Sequence, residues 1–74
     1  MENITTPNFA ELKRRARGMT DDALLWSAND ASEAAEMAED LERAGCRVSK
    51  TGGYYRDEAS VYRTELRRRE AKRS

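Results

Sequence analysis

At 74 residues, with 38% hydrophobic and 38% charged side chains, the chain has room for one small domain around a thin core. Eleven of its hydrophobic residues are alanines, histidine is absent and Cys46 stands alone, which excludes an internal disulfide and leaves no credible zinc set. Formal charge cancels to zero, but unevenly: residues 1–17 sum to +2, residues 18–42 carry eight acids and no base, and residues 43–74 sum to +6.

The elements follow in chain order. Thr6-Pro7 has the form of an N-cap followed by proline at the first helical position. Phe9, Leu12 and Ala16 recur at helical spacing up to Gly18, predicting a first helix over about residues 7–17. Thr20-Asp21-Asp22 supplies the next cap, with acids in the first turn where the helix dipole favours them. The second helix is expected over 21–44, ending at Gly45. GCRVSKTGG is a loop by its glycines, with Gly52-Gly53 permitting a tight start to a third helix over 54–72.

Helical phase, at about 100° per residue, aligns Leu24, Ala28, Ala31, Ala35 and Ala38, with Ala34 and Leu41 on the flank. Tyr55, Ala59, Tyr62 and Leu66 align on the third helix. Small residues on one seam leave room for rings on the other. The expected architecture is therefore all-α: a short N-terminal helix plus an antiparallel helical hairpin, completed by dimerisation. Laid antiparallel, Leu41 falls near Tyr55, Ala38 near Ala59, and Ala31 to Ala35 near Tyr62 and Leu66.

Trp26, Met37 and Ala44 point roughly 160–220° away from the alanine seam. Asp22, Asn29, Glu33, Glu36 and Asp40 lie beside them as an acidic stripe. An exposed indole in a chain poor in large side chains needs a covering surface. Three covers are open: the first helix, folded back with Phe9 and Leu12 over the ring and Lys13, Arg14, Arg15 and Arg17 against the acids; a second copy; or a foreign partner. The candidate partner-binding residues are Trp26, Asp30, Glu33, Glu36, Met37 and Asp40.

Catalytic groups are scarce. No serine or cysteine has a recognisable base, and carboxylate pairs such as Glu33–Glu36 sit on a solvated helix face with no cleft to shift a pKa. SKTGG lacks the glycine-framed lysine of a phosphate loop. Cys46 is expected as a half-buried loop residue. The reading is of a non-enzyme without cofactor or metal. KRRAR (13–17) and RRREAKR (67–73) could grip phosphates, making Arg14, Arg15, Arg63, Arg67 and Arg68 the candidates for an alternative nucleic-acid-binding regulator. The acidic middle helix argues against that alternative. No apolar run approaches the ~20 residues of a membrane span and the N-terminus lacks a signal-peptide core, so a cytoplasmic protein is expected.

DASEAAEMAEDL followed by GGYYRDEASVYRTELRRRE resembles small helical proteins encoded by bacteriophages and prophages, over roughly residues 20–70. The resemblance implies Tyr55, Tyr62 and Leu66 in the core and Arg67 to Arg69 on the surface. It also implies a setting in the host bacterial cytoplasm. Small phage proteins without catalytic groups often work by binding and blocking a host protein, as anti-CRISPR proteins do. The expected function is thus a phage-encoded inhibitor that docks an acidic, aromatic helix face on a host defence or regulatory protein.

Overall fold

Asn8, not Thr6, opens the first helix. In the computed structural model, which describes residues 4–73, α1 spans Phe9–Arg17 and the Asn8 side-chain oxygen accepts the Glu11 amide at 3.2 Å. A cap satisfies one of the free donors of the first turn, and Asn8 reaches it where Thr6 does not. Pro7 is buried ahead of the helix, outside it. Residues 1–3 and 74 fall outside the described residues.

The next two helices also start at hydroxyl caps. Thr20 accepts the Ala23 amide at 3.1 Å and begins α2, Asp21–Arg43. Thr51, which the sequence reading passed over, accepts the Tyr54 amide at 3.2 Å and begins α3, Gly52–Arg73. Between them, Gly45 takes φ +81°, while its N–H donates to the Glu42 carbonyl and that of Cys46 to the Leu41 carbonyl. This paired closure needs a left-handed residue, and glycine supplies one without steric cost. Cys46 itself is exposed, not half-buried, because the closure uses its backbone and leaves the thiol outside.

Gly52 has a different task from the one expected. It lies inside α3, where a Cβ would stand 2.3 Å from Glu39 Cγ and 3.2 Å from the Ala35 carbonyl. Glycine here allows close approach. The Gly52 N–H also donates to Glu42 Oε1 at 2.8 Å, so α2 helps cap the start of α3. Ile4 completes the corner: it donates to the Ser49 carbonyl and accepts from Thr51 N–H, both at 3.0 Å, in an isolated parallel bridge.

Leu24, Ala28, Ala31, Ala35 and Ala38 are all buried, as their phase requires. The α3 side of this seam is Gly52, Ala59 and Tyr62, with Tyr55 and Leu66 only half-buried. Contacts run in opposite order along the two helices: Arg56 meets Glu39, Arg63 meets Ser32 and Arg69 meets Asp21. Tyr62 clusters with Leu24 and Ala28, about one turn closer to the start of α2 than expected. The close approach at Gly52 accounts for this, because it sets the first turn of α3 against Ala35 and Glu39.

The first helix does not cover Trp26. α1 lies on α3, and Leu12 and Ala16 join Leu24, Ala28, Val61 and Tyr62 in the main cluster. Its cations are correspondingly not set against the acids of α2. The docking device is Arg69, which the phage resemblance had placed on the surface. Its guanidinium donates to Asp21 Oδ1 at 2.8 Å, to Glu65 Oε2 at 2.9 Å, and to the carbonyls of Ala16 and Arg17 at 3.2 Å each. One planar fork thus ties the start of α2 and the shaft of α3 to the carbonyls closing α1. Glu65, only 7% exposed, is buried between Arg68 and Arg69. Hydrogen bonding from Arg68 first, and from Arg69 in addition, outweighs desolvation and draws its pKa down to about 2.

Candidate binding surface

The acids of α2 divide into two sets by phase. Asp21, Glu39 and Glu42 border α3 and are engaged there: Asp21 with Arg69 and Arg73, Glu39 with both Nε and Nη2 of Arg56 at 2.7 Å, Glu42 with the backbone of Gly52. The bond from Arg56 holds the Glu39 carboxyl below its ordinary pKa, and the bonds from Arg73 and then Arg69 do the same for Asp21. The second set, Asp22, Asp30, Glu33, Glu36 and Asp40, is exposed on the outer side. Asp40 pairs with Arg43 on its own helix. Among the described residues, Asp22, Asp30 and Glu33 form no ion pair.

Trp26 is 69% exposed and Met37 67% exposed on that same outer side. Counting at 100° per residue, Asp30, Glu33, Met37 and Asp40 all fall within about 40° of the Trp26 direction. They form one stripe, and Glu36 lies on its edge. Trp26 and Met37 stand eleven residues apart, about 16 Å along the helix. Two further apolar side chains, Leu25 and Leu41, are exposed on the flanks of this stripe. The sequence reading left Leu25 out of the site, although its place next to Trp26 on the short non-alanine arc was signal enough. Met37 and Leu41 continue into a shallow groove walled by Val48, Lys50 and Tyr55, where the loop returns to α3. Lys50 Nζ sits 4.9 Å from the Tyr54 ring centroid, and Tyr54 stands edge-on to Tyr55, so aromatic contacts organise this corner.

No family model, curated protein or solved structure matches this chain. Its surfaces must speak for it.

The five arginines of the nucleic-acid alternative are not brought together. Arg63 donates to Ser32 beside α2, Arg67 to Thr64, and Arg68 is held by Glu65. Arg14 approaches Glu11 at 3.9 Å on exposed α1, and Arg15 borders a separate hollow with Tyr54 and Glu58. A track for a phosphate backbone needs cations aligned along one path. These point several ways.

Among the described residues no group of three His, Cys, Asp or Glu side chains converges as a metal site. The Tyr62 phenol has its pKa pushed up to about 12 by burial and by donation to Glu58 Oε2 at 3.0 Å. That shift favours the neutral hydroxyl, the opposite of what a nucleophile or base needs. No helix among the described residues is long and apolar enough to cross a membrane.

Proposed function

We propose that this chain is a non-enzymatic binding protein that docks the outer face of α2 on a basic surface of another protein and blocks it. The observation that carries the reading is an indole 69% exposed amid Asp30 and Glu33, acids that form no ion pair among the described residues. Tryptophan is enriched among binding hot spots because it buries a large, rigid area at low entropic cost, whereas flanking charges steer approach and select partners. Trp26 and Met37 anchor in apolar pockets while Asp30, Glu33, Glu36 and Asp40 face cations on the partner. The resemblance of residues 20–70 to phage proteins supplies the setting: inhibition of a host defence or regulatory protein in the bacterial cytoplasm, in the manner of anti-CRISPR proteins. Self-association belongs to the same reading, since the thin core gains from a second copy.

The test is affinity purification from bacterial host lysate with wild type, Trp26→Ala and Glu33→Lys/Asp40→Lys. Wild type is expected to recover a discrete partner in a salt-sensitive manner, and both variants to lose it. Equal recovery by all three removes this face from consideration.

A further inference from the structure

The molecule holds a second unsatisfied surface of opposite sign. α1 and α3 frame a groove of about 450 Å³ whose apolar lining includes Phe9, Ala16 and Val61. Lys13, Arg17 and Arg68 stand along it, against Asp57 and the neutralised Glu65. Among the described residues, the side chains of Lys13 and Arg17 form no ion pair. Because α1 lies on α3, cations that could have met the acids of α2 are left facing solvent. One fold thus presents an acidic, apolar ridge and a basic, apolar groove, each lacking its counterpart.

We propose that the groove between α1 and α3 receives the α2 stripe of a second copy of this chain, with Trp26 of one molecule lying over Phe9 and Val61 of the next. This rests on reading the stripe as a docking face. Lengths agree: Asp57 and Arg68 at the ends of the groove stand eleven residues apart, as do Trp26 and Met37 at the ends of the stripe, about 16 Å each. Signs agree as well, with Asp30 and Glu33 arriving opposite Lys13 and Arg17. A symmetric pairing of two α2 stripes would instead oppose Asp30 and Glu33 with their own copies, and like charges at a contact are repulsive.

Position decides the mode of assembly. The stripe faces away from α3 on the outside of α2, and Asp57, Val61, Thr64 and Arg68 lie about 140–200° around α3 from the Ala59 seam. Ridge and groove are therefore on opposite sides of the molecule. Their contact is head-to-tail and grows into rings or filaments, not a closed two-fold dimer. A host surface with the same basic, apolar character competes for the ridge.

Trp26, the single tryptophan, makes the test specific. Wild type taken from micromolar to millimolar concentration is expected to rise in mass beyond two chains by light scattering, with a blue shift of tryptophan emission that high salt reverses. Constant mass and emission overturn the proposal without any variant. Two variants sharpen it: Trp26→Ala/Glu33→Lys destroys the ridge, and Lys13→Glu/Arg17→Glu destroys the groove. Each alone is expected to stay monomeric with its helices intact by circular dichroism; Lys13→Ala/Arg17→Ala replaces the second variant if that one unfolds. Mixed in equal amounts they are expected to form two-chain species and nothing larger, with blue-shifted emission, since only the groove variant retains the indole. A monomeric mixture overturns the proposal, as does wild-type-like assembly of either variant alone. Loss of host-partner capture with self-association intact overturns the inhibitor reading and leaves this one standing.

Discussion

Arg69 and Glu65 show how much one ion pair can organise in a small chain. Arg69 is bonded to groups from all three helices, and Glu65 is buried only because two guanidiniums neutralise it. A carboxyl held at about 2 in the folded state, against an ordinary 4.5, binds fewer protons folded than unfolded. The stability it contributes is therefore complete above about pH 5 and is lost as pH falls toward 2. Asp21 and Glu39 are shifted in the same direction and add to the same acid limb. Glu65→Gln is expected to be less stable than wild type at neutral pH, with the difference narrowing steadily under acid. Urea melts at several pH values would show this; a difference that stays constant from pH 7 to pH 2 would falsify the assignment. Nothing in the run RTELRRRE singles out Arg69 beforehand, since three adjacent arginines look alike until α1 places its carbonyls beside one of them.

Among the elements, the α2–α3 seam depends on small residues. Ala31 and Ala35 are buried with almost no free surface, and at Gly52 a Cβ would crowd the Ala35 carbonyl and collide with the Glu39 side chain. Enlarging a residue in such a seam forces side chains off their rotamers or the helices apart, at a cost of ~1–3 kcal/mol. Ala31→Leu is expected to destabilise by that amount in chemical denaturation, while Ala10→Leu on the exposed side of α1 changes stability by less than about 0.5 kcal/mol. Equal effects would mean that α2 and α3 are not closely packed. The alanine pattern foretold this seam because packing between long helices has a fixed period. It did not foretell the register, which depends on one glycine's approach to the neighbouring helix.

For the molecule as a whole, the described residues extend 46 × 20 × 15 Å, little more than two long helices with a short third laid on one of them. Such a shape leaves the outside of α2 uncovered. Trp26 therefore contributes little to the fold, and Trp26→Ala is expected to shift stability by no more than about 0.5 kcal/mol while abolishing both partner capture and head-to-tail growth. Thermal melts beside the binding assays separate these effects. A variant that unfolds would show that the indole belongs to the core and would remove the docking face.

The helices, their caps at Thr20 and Gly45, the alanine seam and the outward direction of Trp26 were legible in the chain, because each follows from local geometry and a 3.6-residue period. Which surface α1 would choose was not. Leu12 and Ala16 could have met Trp26 as readily as Val61, and the basic residues of α1 had an obvious acidic target on α2. Three-dimensional packing settled the choice: the Arg69 fork and the space beside Val61 draw α1 onto α3. With that, the outward acids of α2 and the cations of α1 are parted within the molecule.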